Sequence, residues 1–460
     1  MSIVHNGLSG VLAAQVALSA TSQNVANVMT PGYTRQGVLF ASVQPRQSGL
    51  ITAGAGVSVA SLLRFSDGYK LQQMWSAASE LGQRSAVQPY LTQLEQVMSI
   101  DGSGINSGLD AFFAALNAAS VDPVSNPLRQ QVITSAQALA QEVNSLGQLL
   151  LNQRAAVMQQ RAAITEQVST LAAEIALLNR QIVDARGTGI NASGLIDARD
   201  RKIDELSDLV ALQVVDQADG SRSVSLRDGQ PLVIGSVAAT MSVQPQPDGS
   251  QLLTVSFARE TFTLTGTGLG GQLGGLYDLE YEVIRPMMQA RTELAQWLTD
   301  GVNDVLVAGY TPDGNPGQPQ FEFDATGAMG GTLGVRQGIV PQDLAFSSDP
   351  DAPGDSGNLL ELIALRSQPV NLTLLGPVTL SDAVTQLVAR LGMQSQQNQA
   401  ALETAEIVRN QAEESWKSTS GVNLDEEAIN LVQYQQMYQA NMKVIAVANE
   451  LLESTLAVLG

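Results

Sequence analysis

The sequence predicts a mainly α-helical, elongated, multi-domain rod with one small antiparallel β domain inserted, and with N- and C-terminal helices pairing as a coiled coil. Three observations predict it. Heptad-spaced rows occupy both chain ends. Long helical stretches dominate the body. In the middle the apolar period switches to two. The 460 residues allow two or more domains. Hydrophobic residues are 44% of the chain but aromatics only 4%, a balance that suits helices packed side by side better than a large aromatic pocket.

The first helix is expected over Val4–Val25. Val4, Leu8, Val11, Gln15, Leu18, Ser22 and Val25 recur at alternating steps of four and three, the spacing of a helix–helix seam. Two of these positions are polar, and an isolated helix of this length is marginal in water. Thr30-Pro31-Gly32-Tyr33 then makes a turn, because proline disfavours helical geometry at Thr30. Val38–Val43 and Ile51–Leu63 read as short extended segments. Helices follow over Gly68–Met98 and, after a break at Gly102-Ser103-Gly104, over Leu109–Ser120.

The longest helical run covers Val124–Ala185, about 90 Å if continuous. Gly147 is a candidate bend, and Gly187 and Gly189 end the run. Another helix covers Ala192–Leu212. Leu253, Val255 and Phe257, then Phe262 and Leu264, alternate with polar residues, and Asp219-Gly220, Asp228-Gly229 and Asp248-Gly249 are hairpin signals. Helix resumes over Leu276–Ala308. Tyr310–Pro377, rich in Gly and Pro, mixes loops with short strands, and Leu380–Lys417 is helical. Asn423 caps a last helix, with Glu426 placed to complete a box-like cap. In that helix Leu424, Ala428, Leu431, Gln435, Tyr438, Met442, Ile445, Asn449, Leu452, Leu456 and Leu459 repeat the four-and-three spacing. The expected division is 1–35 with 421–460 as terminal assembly helices, 36–212 with 276–420 as a helical rod containing the mixed segment 310–377, and 213–275 as the β domain.

The net charge of −20 opposes contact with nucleic acid and anionic lipid. Absence of Cys excludes disulfides, thiolate metal sites and Cys nucleophiles, and suits a chain moved unfolded. The start shows no signal-peptide pattern, and no uninterrupted apolar run reaches the roughly 18 residues of a membrane span.

Asn24-Val25-Ala26-Asn27-Val28-Met29-Thr30-Pro31-Gly32-Tyr33 resembles the N-terminal signature of the bacterial flagellar axial family of rod, hook and hook-associated proteins. Gly421-Val422-Asn423-Leu424-Asp425-Glu426-Glu427, followed by Tyr434-Gln435-Gln436-Met437-Tyr438-Gln439-Ala440-Asn441, resembles its C-terminal signature. Asn126-Pro127-Leu128-Arg129-Gln130-Gln131, Leu195-Ile196-Asp197-Ala198-Arg199-Asp200 and Gly270-Gly271-Gln272-Leu273-Gly274-Gly275 are similar to segments of its hook-associated members at the hook–filament junction. The runner-up is a hook or other axial protein.

The resemblance implies a structural, non-enzymatic component of the extracellular flagellum. It implies a ring of identical copies, with the hook protein on one side and the second junction protein on the other. It implies export without a cleaved signal peptide, and a cytoplasmic chaperone on the C-terminal helix. No membrane insertion, nucleic acid, metal or cofactor is expected. The candidate assembly residues are Leu8, Val11, Leu18, Val25, Asn27, Thr30, Pro31, Gly32, Tyr33, Asn423, Leu424, Leu431, Tyr438, Met442, Ile445, Leu452 and Leu456. The terminal helices are expected to order on assembly, and Ile445→Asp to block incorporation without altering the monomer's melting.

Chemistry-like motifs read as structure. Gly266-x-Gly268-x-x-Gly271 follows hairpin strands rather than a parallel βαβ unit, so it reads as a flexible junction rather than a dinucleotide loop. His5, the single His, has no partners for a triad or a metal site. Asp197, Asp200, Asp204 and Glu205, interleaved with Arg199, Arg201 and Lys202, read as a solvated, ion-paired helix face. Asp313-Gly314-Asn315 and Asp351–Gly357 lack the full spacing of a calcium loop and read as turns. A cell-wall glycan hydrolase would need paired carboxylates in a cleft, and an adhesive module an aromatic surface; neither pattern is present.

Overall fold

The computed structural model describes residues 2–43, 54–98, 104–247, 249–266, 268–325 and 331–459. The expected break at Gly102-Ser103, the start of the Ile51–Leu63 segment and Asp248 of the third hairpin signal lie outside these residues. Helix α1 (Ser2–Ala26) leads through a turn into the antiparallel hairpin β1 (Gln36–Ser42) and β2 (Val57–Arg64). The hairpin folds back along α1: Asn6 Nδ2 donates to Gly54 O at 3.1 Å and Val57 N to Ser9 Oγ at 3.1 Å.

α2 (Gly68–Met98) then climbs the body, followed by α3 (Ile105–Ala119) and the 62-residue α4 (Asn126–Gly187). α4 is unbroken, about 93 Å long. Gly147 marks no bend. A Cβ there would fall 2.1 Å from Arg291 Nη1, so the glycine makes room for a guanidinium.

α5 (Ser193–Leu209) ends two residues before strand formation begins. Two antiparallel sheets follow: β3 (Leu212–Asp216), β4 (Arg222–Leu226), β5 (Pro231–Ile234) and β6 (Val237–Ala238) in the first, and β7 (Thr240–Pro245), β8 (Gln251–Phe257) and β9 (Glu260–Leu264) in the second. The glycines after β9 pack tightly rather than forming a flexible joint. A Cβ on Gly266 would meet the Tyr277 ring at 2.0 Å, and one on Gly271 the Leu209–Val210 backbone at 2.4 Å.

α6 (Gly271–Asp278) continues through a π-helical turn, Leu279–Ile284, into α7 (Arg285–Ala308). The π-turn carries Glu280, fully buried, which pairs with Arg154, Arg161 and Arg285. The mixed segment holds β10 (Phe321–Asp324), β11 (Thr332–Val335), α8 (Gly357–Ala364), β12 (Pro369–Leu372) and β13 (Gly376–Thr379). Asp355 opens α8, accepting from Ser348 N at 2.7 Å and Gly357 N at 3.1 Å, which fits the turn reading of this acidic stretch.

α9 (Leu380–Ser420) returns antiparallel to α2. Lys70 Nζ reaches Ser415 O at 2.8 Å near one end of the pair, and Asn398 Nδ2 reaches Arg84 O at 3.0 Å further along. α10 (Leu424–Leu459) completes the chain.

Among the described residues two cores hold the body. One joins α2, the second half of α4, α5, both sheets and α6. The other joins α3, the first half of α4, α7, α8 and the start of α9. Arg129 of the Asn-Pro-Leu-Arg segment is buried in the second region. It donates to Pro123 O, Leu344 O and Pro341 O and lies 4.6 Å over the Phe346 ring. Desolvation pulls its pKa down to about 10.

Candidate assembly site

α1 and α10 pair as an antiparallel two-helix stalk, with the β1–β2 hairpin alongside. The seam is built from small residues. Gly7, Gly10, Ala14, Ala17, Thr21 and Asn24 repeat at steps of three and four, and all are buried. A Cβ on Gly7 would sit 2.8 Å from Ile445 Cγ1, and one on Gly10 would sit 2.2 Å from Asn441 Oδ1, so close helix approach requires glycine at both. From α10 the facing row is Glu427, Asn430, Tyr434, Met437, Asn441, Ile445 and Ala448.

This corrects the phase of the expected seams. Of the α1 candidates, Val11 is buried and Leu18 half-buried, while Leu8 and Val25 are exposed. Of the α10 candidates, Tyr438 and Ile445 are half-buried, while Leu424, Leu431, Met442, Leu452 and Leu456 are exposed. The small side chains win the seam because they let two backbones approach. The larger ones, with Ile3, Leu12, Val16, Val432, Val447 and Leu451, cover the outside of the pair. Because Ile445 packs against Gly7, Ile445→Asp would strike the stalk's own seam and is not a clean test of incorporation.

α1 is also long and apolar enough, over Ile3–Ala26, to cross a membrane by length and composition, although polar residues such as Asn6 and Gln15 interrupt it, as the reading that no uninterrupted apolar run is that long requires. It is partly covered by α10 and the hairpin, and 39% of that window is buried.

The turn candidates join stalk to body. Asn27 N continues the helix to Gln23 O, and Thr30 Oγ1 donates to Asn27 Oδ1 at 3.2 Å. Gly32 takes φ 71°, and its missing Cβ leaves room for the Arg201 stem, 2.5 Å from where it would sit. Arg201 Nη1 donates to Pro31 O at 3.2 Å. Tyr33 OH donates to Asn24 Oδ1 at 2.9 Å, and the same amide clamps the start of β1 through Gln36 N and Gln36 O. Burial, Asp197 and Glu427 together push the Tyr33 pKa up to about 12.

Beneath this turn lies a buried ionic hub, where the sequence suggested a solvated face. Asp197 is 5% exposed, Arg199 3% and Asp200 5%. Asp197 accepts from Arg64 Nε at 2.8 Å and from Thr34 N at 3.2 Å. Asp200 accepts from Arg64 Nη2 at 2.9 Å and also pairs with Arg222 and Arg199. Arg199 Nη1 donates to Gly220 O at 2.8 Å. α5 thus gathers the arm, the hairpin and β4 on one helix turn, and burial follows because those elements cover it. Asp204 pairs with Arg409 of α9, while Glu205 and Lys202 remain at the surface.

At the other crossing, Asn423 Oδ1 accepts from Asp425 N at 2.9 Å and so caps α10. Glu426 does not complete the box. It pairs with Arg35, which stacks 4.5 Å from the Phe65 ring and whose N–H donates to Ser420 O at 2.7 Å. Sequence reasoning alone misses Arg35, Arg64, Gly7 and Gly10. The three-and-four spacing of small residues from Gly7 to Asn24 is the signal for the glycines; the arginines carry none.

His5 is exposed on α1. Among the described residues no group of three or more His, Cys, Asp or Glu side chains could hold a metal ion.

Comparison with known proteins agrees with this architecture. Residues 91–321 match the model of the flagellar hook-associated protein FlgK helical domain, and residues 418–458 the flagellar basal body rod FlgEFG protein C-terminal model. The chain is 26% identical to flagellar hook-associated protein 1 of Salmonella typhimurium, over 99% of both chains. It is 26% identical to that of Bacillus subtilis, over 97% of this chain and 96% of the relative. The flagellar hook junction protein FlgK from Burkholderia pseudomallei has the same fold, with a TM-score of 0.66 at 17% identity, over 75% of this chain and all of that one. The chain belongs to the FlgK family of flagellar hook-associated proteins, structural components of the flagellum at the hook–filament junction.

Proposed function

We propose that the chain takes its place at the hook–filament junction through the outer surface of the α1–α10 stalk, as one of a ring of identical copies. The observation that carries this is the row of large apolar side chains on that surface. Ile3, Leu8, Leu12, Val16 and Val25 on α1, and Leu424, Leu431, Val432, Met442, Leu451, Leu452 and Leu456 on α10, are exposed in a chain of net charge −20. Burying each such residue contributes roughly 1.5–3 kcal/mol, and a ring repeats the gain in every copy. Exposed apolar surface of this extent marks an interaction site.

The small-residue seam buries little apolar side chain, so the stalk alone is marginal and gains order when neighbours cover it. The hub and the Thr30–Tyr33 turn set the angle at which the stalk leaves the body. In this reading the hook protein lies on one side of the ring and the second junction protein on the other. The chain leaves the cell through the flagellar export channel, and a cytoplasmic chaperone covers the apolar end of α10 beforehand. The protein acts by assembling, not by catalysis.

The test uses a host strain lacking the gene and complemented with Leu12→Asp or Leu452→Asp. The residues are 55% and 48% exposed, so both variants should fold. Hooks without filaments, with flagellin monomer in the medium, is the expected result. Wild-type filament numbers with both variants would overturn the proposal.

A further inference from the structure

The ionic cluster at the π-turn differs from the hub beneath the stalk in its balance of charge. At the hub three guanidinium groups, Arg64, Arg199 and Arg222, meet three carboxylates, Asp197, Asp200 and Asp216. At the π-turn three guanidinium groups, Arg154, Arg161 and Arg285, meet one carboxylate, Glu280. Arg154 is 2% exposed, and Arg161 and Glu280 are 0% exposed. Arginine keeps its proton in proteins, so three cations against one anion leave two positive charges in excess. The nearest acids on the same stretch of helix do not restore the balance. Glu282 is exposed, and Asp278 accepts from Gln83 Nε2 at 2.9 Å.

The excess shows in the hydrogen bonds as well. Arg154 donates to Glu280 Oε1 at 2.8 Å and to Gly249 O. Arg161 donates to Glu280 Oε2 through Nη2, but its buried Nε and Nη1 have no partner among the described residues. The buried Nη2 of Arg285 has none either. Gln251, whose amide donates to Met158 O at 3.0 Å, also leaves a buried Oε1 unpartnered, but it is neutral and does not alter the charge. Tyr277 and Tyr281 stack 4.3 Å apart beside the cluster. Arg161 lies 5.9 Å from the Tyr277 ring and Arg285 4.4 Å from the Tyr281 ring. Ring faces attract a cation but carry no net charge. Burial of charge on this scale is costly unless it is compensated.

We infer that the cluster is a binding site for a small dianionic oxyanion, inorganic phosphate or sulfate, held by Arg161 and Arg285 beside the tyrosine pair. Both guanidinium groups converge on the one carboxylate, and each keeps further N–H groups for a second acceptor. The fork of guanidinium donors suits the edges of a tetrahedral oxyanion. A charge of −2 closes the balance that Glu280 leaves open. The Arg285 side chain is 31% exposed and gives the way in, whereas complete burial of Arg161 suits a free ion rather than a phosphate carried on a larger molecule. π-turns inside helices are frequent at functional sites. A bound ion here ties α4 to the π-turn and so braces the middle of the body, whatever the stalk does.

The test is thermal unfolding of the purified full chain in sodium chloride, sulfate or phosphate at equal ionic strength, with calorimetric titration of the same anions. At about 10 mM sulfate or phosphate the wild type should melt roughly 5 °C higher than in chloride, the rise expected for an ion at about a hundred times its Kd. Arg285→Met, at a half-exposed position, should fold and keep less than about a third of that rise. Arg161→Met should lose the rise altogether. Titration should give saturable binding of one ion per chain in the wild type and none in Arg285→Met. A wild-type rise no larger in sulfate and phosphate than in chloride overturns the site. An equal rise in Arg285→Met overturns it too, because the anion would then be acting elsewhere on the chain.

Discussion

Asp197→Ala tests whether the buried hub anchors the stalk. The carboxylate is one of two fully buried acids facing three guanidinium groups, Arg64, Arg199 and Arg222, and it alone accepts the buried Thr34 N–H. Removing it leaves Arg64 with Asp200 alone, in a shared site, and strands a backbone donor. Breaking a buried pair from one side costs about 3–5 kcal/mol. Taking an m-value of roughly 2 kcal/mol/M in urea for the unfolding unit, the midpoint should fall by about 1.5–2.5 M. The assay is urea unfolding followed by far-ultraviolet circular dichroism, with limited proteolysis reporting release of residues 27–35. Asp197→Asn, which keeps an acceptor, should lose about half as much. An Arg64→Met/Asp197→Leu double variant should recover part of the loss, since apolar replacement of a whole pair is often near neutral. A change under about 0.5 kcal/mol for Asp197→Ala would show that the hub does not bear on stability.

Three further outcomes follow from the same geometry. Gly10→Val should force α1 off α10, because even a Cβ there comes within 2.2 Å of Asn441; the cost is about 1–3 kcal/mol of overpacking, read as faster proteolysis of the stalk with the body unchanged. Ile445→Asp should likewise loosen the free stalk, whereas Leu452→Asp should leave the monomer's proteolysis pattern intact and act only on assembly. Tyr33 titrates near 12 when folded against about 10 unfolded, so its contribution is complete below pH 10 and is lost as pH rises from 10 through 12, where the unfolded chain releases the proton first. Tyr33→Phe should flatten that part of the stability–pH curve relative to wild type, and should remove one late-titrating component from the tyrosinate absorbance of the native protein, leaving those of Tyr90 and Tyr277, which burial also raises.

Much of the architecture is legible in periodicity. The long α4 run, the shift to alternating strands at Leu253–Leu264 and the capped start of α10 all rest on local rules that tertiary context does not override. The stalk's period is legible as well, but not its phase. A search for large apolar residues at heptad spacing finds Leu8, Val11, Leu18 and Val25, and the seam belongs to Gly7, Gly10, Ala14 and Ala17, whose value lies in what they lack. The hub is hidden for the opposite reason. Asp197-Ala198-Arg199-Asp200 on a helix looks like a surface, and only Arg64 and Arg222, remote in sequence, turn it into an interior. Glu426 departs from the expected capping box because that box is a local rule, and Arg35, 391 positions away, is a stronger partner.

The antiparallel stalk also has a practical corollary for anyone labelling the molecule. Since Gly7 lies beside Ile445, the first turn of α1 and the last turns of α10 lie toward the same far tip of the two-helix stalk. An affinity tag or fluorescent protein fused at either terminus would therefore be delivered to one spot, in the part meant to be enclosed by neighbours. The exposed Asp228-Gly229 turn between β4 and β5, where a methyl group added to Gly229 would meet nothing within 4 Å, is the better attachment point.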